Sequence, residues 1–172
     1  GWLAQRIIRD VGAPNVDSSA SPIDRGALAE LSRPELGLKI SDLDNADAIL
    51  VLGTDPLHEM PILDLRIRKV VRRNGTKLAV ASERPTALDG GAEEAVRYAP
   101  GDAAGFVRAL DGALGAEGFE ADRAQAKRAA AIAELLREAP DQAIVWGERL
   151  WRSRGAAEAL HACARALEMH KR

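Results

Sequence analysis

The chain has 172 residues, 47% of them hydrophobic and 29% charged, which is the composition of a globular domain and excludes disordered or fibrous classes. Its 24 Lys and Arg against 26 Asp and Glu leave a net charge of −2, so no overall field draws it to nucleic acid or to an acidic membrane surface. Cys163 is the single cysteine, which excludes an internal disulfide and any multi-cysteine zinc or iron–sulfur centre within these residues, and no apolar run approaches the ~20 residues of a membrane span.

Leu3, Ile7, Ile8 and Val11 recur at helical spacing until Gly12 and Pro14 stop the run, so the chain opens on an amphipathic helix. A short strand at Asn15-Val16-Asp17-Ser18-Ser19, a polar loop to Pro22 and a short helix over 26–31 are expected next. Ser41 is placed to cap a one-turn helix through Asp42, Leu43 and Asp44. Residues 48–52 then read as a buried strand. Pro61 suits the first turn of a helix whose buried stripe is Leu63, Ile67, Val70 and Val71, Asn74-Gly75 ends that helix, and 77–81 form a second strand. Two apolar strands separated by one helix of this length make a right-handed βαβ unit with parallel strands.

Residues 95–98 read as an edge strand, with Pro100-Gly101 in the turn to a helix over 102–114. An Ala-rich helix over 121–138 packs through Ile132, Leu135 and Leu136 before Pro140 closes it. Residues 143–146 are a further strand candidate ending at Gly147, and 156–168 a final helix. The expected fold class is α/β: a three-layer Rossmann-like domain over 1–172 with a mainly parallel sheet, in which 115–172 either packs on the same sheet or begins a further βα unit. That final unit, and Gly rather than Met at position 1, lead us to expect a longer parent chain.

The loop Gly53-Thr54-Asp55-Pro56 offers backbone N–H groups, a hydroxyl and a carboxylate at the carboxyl end of a strand, where open α/β sheets place ligand crevices. It is neither G-x-G-x-x-G nor a P-loop, and an ordinary turn, with Gly53 permitting tight backbone and Asp55 capping the next helix, accounts for it equally. Arg66, Arg68, Lys69, Arg72 and Arg73 place five cations in eight residues, either as a solvated face or as a dock for an acidic neighbour. His58 and Glu59 are adjacent on a helix and point about 100° apart, so they do not form an acid–base pair. Cys163 reads as a core thiol and Trp146 and Trp151 as packing residues; the scattered His58, His161 and His170 carry no metal motif, and no catalytic residue is assigned.

Residues 44–86 resemble the molybdopterin oxidoreductase family, and most of all its version in the large iron–sulfur subunit of bacterial NADH-quinone oxidoreductase, respiratory complex I. That version reads A-D-A-I-L-V-x-G-T-N-P, then Pro, R-I-R-K-A and a G-x-K-hydrophobic strand. Here the matches are Ala46-Asp47-Ala48-Ile49-Leu50-Val51, Gly53-Thr54, Pro56, Pro61, Arg66-Ile67-Arg68-Lys69 and Gly75-Thr76-Lys77. The opening helix, Asn15-Val16-Asp17 and Tyr98-Ala99-Pro100-Gly101-Asp102-Ala103-Ala104 extend the likeness over most of 1–114.

The resemblance implies a pterin-dinucleotide crevice at Gly53, Thr54, Asp55, Pro56, Ser82 and Arg84. It also implies where this chain departs from catalytic members. Asp55 stands where Asn is usual, and Ser82-Glu83-Arg84 replaces Asp-Pro-Arg, so carboxylates that repel phosphate gather there and the expected crevice is vestigial and empty. On this reading the chain is an interior, non-catalytic scaffold and docking piece without a cofactor of its own. The 4Fe-4S and 2Fe-2S clusters lie elsewhere in the full-length subunit, the partners are other subunits of the complex I peripheral arm, and the location is cytoplasmic at the inner face of the plasma membrane, without insertion. The competing expectation is an independent nucleotide-binding α/β protein using Gly53, Thr54 and Ser82.

Overall fold

Strand β1 (Ala48–Leu52) is fully buried along its whole length, which requires cover on both faces of the sheet. In the computed structural model, which describes residues 2–12, 37–115, 123–151 and 155, that cover comes from two layers of helices. The period of two sorts the side chains. Ile49 and Val51 of β1 and Leu78 and Val80 of β2 (Lys77–Ser82) point to one face, while Leu50, Leu52, Ala79 and Ala81 point to the other.

Helix α1 (Trp2–Asp10) stands at the start of the chain. Its predicted apolar stripe is exposed at Leu3, Ile7 and Val11; helical spacing alone does not supply an opposing surface. A 3-10 turn (Ile40–Asn45) precedes β1, and it begins one residue before the expected Ser41 cap. The Asp42 carboxylate accepts the Lys39 backbone N–H at 2.9 Å, while the Ser41 hydroxyl donates to the Asp42 carboxylate at 3.3 Å and caps nothing.

After β1 come a single helical turn α2 (Pro56–Glu59) and helix α3 (Pro61–Asn74). Each begins with a proline, whose missing N–H is no loss at a first helical position. Pro61 also disfavours helical backbone at the residue before it, and Met60 accordingly breaks the two helices with φ −147° and ψ 76°. Leu63, Ile67 and Val70 of α3 bury against Ile49, Val51, Leu78 and Val80. Thr76 donates its hydroxyl to the Ala46 carbonyl at 2.8 Å and ties the end of this crossover to the start of β1.

A link over 83–93, containing only the 3-10 turn Asp89–Gly91, leads to edge strand β3 (Glu94–Arg97). Helices α4 (Ala103–Leu114) and α5 (Arg123–Glu138) then cross the second face, where Phe106, Leu110, Ile132 and Leu136 are fully buried on Leu50, Leu52 and the small Ala79 and Ala81. Strand β4 (Gln142–Trp146) and the turn α6 (Glu148–Trp151) are the last described elements.

All four strands are parallel in the order β3-β2-β1-β4. The 143–146 strand therefore belongs to this sheet and starts no separate one: Ile49 pairs with Leu78 on one side and with Ala143 on the other. The chain builds outward from β1 through β2 to β3 and then returns to the far side of β1. The carboxyl ends of β1 and β4 thus form a topological switch point, the position at which open α/β sheets carry crevices. The expected strand at 15–19, the helices at 26–31 and 156–168, Cys163, His161 and His170 lie outside the described residues.

Candidate functional site

β1 ends in Gly53, whose N–H still pairs with the Ala81 carbonyl at 2.9 Å and whose φ is +63°. A side chain there would be strained by that φ and would meet the Tyr98 hydroxyl at 3.1 Å. Glycine at 53 therefore lets the strand turn directly beneath Tyr98. Tyr98 is itself 5% exposed and stacks on Phe106 with ring centroids 5.4 Å apart. Burial, with a contribution from the Glu83 carboxylate and an opposing one from Arg149, pushes its phenol up to about 12.

The next residues form a closed hydrogen-bonded knot. Buried Thr54 donates its hydroxyl to the Glu59 carboxylate at 2.8 Å, and the other oxygen of that carboxylate lies 3.4 Å from the Asp55 N–H. Asp55 stands at the N-cap of α2, as the ordinary-turn reading has it, but makes no side-chain cap: its carbonyl accepts the first helical N–H groups, from His58 and Glu59 at 3.0 and 3.1 Å, while its carboxylate meets His58 Nδ1 at 2.9 Å. The other Asp55 carboxylate oxygen, Oδ1, is buried and has no hydrogen-bond partner among the described residues. Pro56 is buried at the first position of α2.

Across the crevice, Ser82 donates its hydroxyl to the Arg84 carbonyl at 2.5 Å, and Glu83 accepts the Gly101 N–H at 2.8 Å. From β4, Gly147 runs so near β1 that a Cβ on it would lie 2.6 Å from the Thr54 hydroxyl oxygen. These segments enclose a recess of about 210 Å³, lined by Gly53, Thr54, Asp55, Ser82 and Arg84 with Arg149 from beyond β4. Five of the six residues singled out in the sequence are thus gathered round one recess, and Pro56 supports it from α2.

Sequence reasoning did not single out Tyr98, Gly147 or Arg149 for this site, and it weighed Glu59 only as a partner for His58. Glu59, the last residue of the turn α2, reaches back to Thr54 and Asp55. His58 and Glu59 do diverge, as their adjacency demands: one turns to Asp55 and the other to Thr54. Among the described residues no three His, Cys, Asp or Glu side chains are grouped as a metal site requires. In the lining Asp55 and Glu83 face Arg84 and Arg149, and the Glu59 carboxylate on the Thr54 hydroxyl adds a further negative charge behind them.

The molybdopterin oxidoreductase family matches residues 3–171, nearly the whole chain. The chain belongs to that family. Among curated proteins it is similar to the NADPH-Fe(3+) oxidoreductase subunit alpha of Geobacter sulfurreducens, in strain DL-1 / KN400 and in strain ATCC 51573 / DSM 12127 / PCA. Each is 31% identical over 125 residues, which cover 69% of this chain and 15% of the relative. This molybdopterin oxidoreductase segment therefore spans a small part of the length of the relatives it matches.

Five cations surround α3, and the structure divides them. Arg66 grips Asp44 with both nitrogens of its fork, at 3.2 and 2.7 Å, and Lys69 lies 3.5 Å from the same carboxylate. Arg68 donates to the buried Asp64 at 2.7 Å and to the Ala87 carbonyl at 2.6 Å, pinning the helix to the 83–93 link. Arg72 and Arg73 are exposed and make no hydrogen bond or ion pair among the described residues.

Proposed function

We propose that this chain is a non-catalytic scaffold and docking segment within the large iron–sulfur subunit of an NADH-quinone oxidoreductase of the complex I kind, and that its pterin crevice is closed by its own side chains. The observation that carries the reading is the Glu59 carboxylate on the Thr54 hydroxyl and against the Asp55 N–H. Those are donors the loop could offer a bound diphosphate, and here an internal carboxylate holds them. Asp55 adds a second negative charge, and the recess of about 210 Å³ falls below the range of ~300–1,000 Å³ usual for pockets that enclose drug-sized ligands. The residues present do not fit a pterin dinucleotide.

On this reading electrons travel through 4Fe-4S and 2Fe-2S clusters carried elsewhere in the parent subunit, at the inner face of the plasma membrane. Among the described residues no helix is long and apolar enough to cross a membrane. The similarity to an oxidoreductase subunit whose name specifies NADPH supports a place in nicotinamide-linked electron transfer.

The test uses the full-length subunit purified from its own organism. Metal analysis and oxidation of released pterin to its fluorescent form are expected to find neither molybdenum nor pterin in stoichiometric amount, and calorimetric titration with GDP is expected to give no binding heat. Stoichiometric pterin, or micromolar GDP affinity abolished by Thr54→Val, overturns the proposal; the second result favours an independent nucleotide site.

A further inference from the structure

We propose that the outer face of α3 and the groove beside it receive an acidic amphipathic helix from a partner polypeptide. The claim rests on the docking role proposed above and names the chemistry of what docks. The starting point is an asymmetry between the two faces of the sheet. One carries two long helices, α4 and α5, whereas among the described residues the other carries one long helix, α3, with the Ile40–Asn45 turn beside it, because the link from β2 to β3 over 83–93 contains only a 3-10 turn. Beside α3, where a crossover helix would lie, is a groove of about 400 Å³. Leu65, Val71, Leu78 and Leu88 form its apolar lining, and Arg68 and Arg72 edge it.

Helical geometry extends the surface. At 100° per residue, Ile62, Leu65, Lys69, Arg72 and Arg73 fall within one outward arc of α3. Ile62 and Leu65 are 73% and 62% exposed, which makes the amino-terminal half of that arc apolar. The carboxyl-terminal half is cationic. Its charge exceeds what the described residues neutralise: Asp44 and Asp64 are shared among Arg66, Arg68 and Lys69, and Arg72 and Arg73 have no partner among the described residues. A helix end favours one or two nearby cations, and the remainder is a local field waiting for carboxylates.

An incoming helix with apolar side chains against Ile62, Leu65 and the groove, and carboxylates against Lys69, Arg72 and Arg73, satisfies both halves. A membrane surface fits less well. Interfacial helices bury a continuous apolar stripe in lipid and flank it with cations along their length, whereas here the apolar and cationic parts follow one another along the axis and the apolar part opens into a groove.

The test places a photo-crosslinking amino acid at position 65 of the full-length subunit in its native assembly, with adducts identified by mass spectrometry. The expected product joins position 65 to an acidic, amphipathic segment of a different polypeptide. Its yield falls at least tenfold in the Lys69→Glu, Arg72→Glu, Arg73→Glu variant, and also in the unmutated protein as salt rises from about 0.05 to about 0.5 M, where screening shortens to a few ångströms. The salt series serves if the triple variant does not fold. An adduct to a second copy, to lipid or to a non-acidic segment overturns the proposal, as does a salt-insensitive adduct or none in an intact assembly. Native electrophoresis scores assembly separately: an intact complex without the adduct sinks this surface alone, while a subunit that assembles with nothing sinks the docking reading beneath it.

Discussion

Gly147 and Thr54 meet across the switch point, where β4 passes β1 so closely that a Cβ at 147 would lie 2.5 Å from the Thr54 Cβ and 2.7 Å from the Glu59 carboxylate. Gly147→Ala must therefore push the strand ends apart or break the Thr54–Glu59 hydrogen bond. The expected cost is about 1–3 kcal/mol, as for other overpacked sites. Gly112→Ala, within α4 and facing open space, should instead stabilise by roughly 0.5–1 kcal/mol. Urea denaturation of the two variants checks the opposite signs; equal effects would show that the contact at 147 is relieved without cost.

Tyr98 is the single tyrosine of the chain, so its ionisation can be followed by the ultraviolet absorbance of tyrosinate. Its phenol should titrate near 12 in the folded protein. Below about pH 10 both folded and unfolded states keep the proton and stability is unaffected. From about 10 to 12 only the unfolded chain ionises, so stability falls as pH rises, by about 3 kcal/mol in all. Glu83→Gln should lower the midpoint, because that carboxylate opposes the phenolate.

Asp64 is 1% exposed, and one of its carboxylate oxygens, Oδ1, has no partner among the described residues. Removing Arg68 leaves the charge uncompensated, whereas removing both groups removes the problem with them. Arg68→Met is expected to cost about 2–4 kcal/mol, and Asp64→Leu with Arg68→Met should recover most of it. Thermal unfolding of the two single variants and the double variant gives the coupling. Additive effects would mean that solvent already screens the buried carboxylate.

Asp44 is held below the ordinary carboxylate range by its hydrogen bonds to Arg66 and by the nearby charges of Arg66 and Lys69. A lowered folded value means that the contribution is complete above the unfolded value near 3.8 and is lost as pH falls through the folded one. Asp44→Asn should accordingly lower the urea midpoint near neutral pH and make progressively less difference in acid. A difference independent of pH would show that packing, not charge, ties α3 to the Ile40–Asn45 turn.

The βαβ unit over 48–82 was legible because each of its rules is local. Five apolar residues make β1, a 3.6-residue stripe makes the inner face of α3, and prolines and glycine bound the helix. The position of β4 was not legible, since nothing in Ile144 or Val145 specifies Leu50 and Val51 as neighbours rather than a strand of another sheet. At the site, Gly53, Thr54, Asp55, Ser82 and Arg84 could be grouped because parallel strands bring their carboxyl ends together. The Glu59 hydrogen bond to Thr54 could not be read, because adjacency to His58 says how the two diverge and not what either one meets. Asp55 shows the limit of residue preferences: a good capping residue in the capping position makes no side-chain cap, and its carboxylate goes to His58.

The late return of β4 also bears on how the chain is made. Asp47, just before β1, accepts the Asp141 N–H from 94 residues further on, so one side of β1 stays unpaired until most of the domain has been synthesised. During that interval the most apolar strand of the sheet is an open edge, a template for a neighbouring nascent chain. A chain cut short before residue 142 should therefore aggregate through β1, and a chaperone that shields the 48–52 segment should raise the yield of the intact protein more than one acting on the helices.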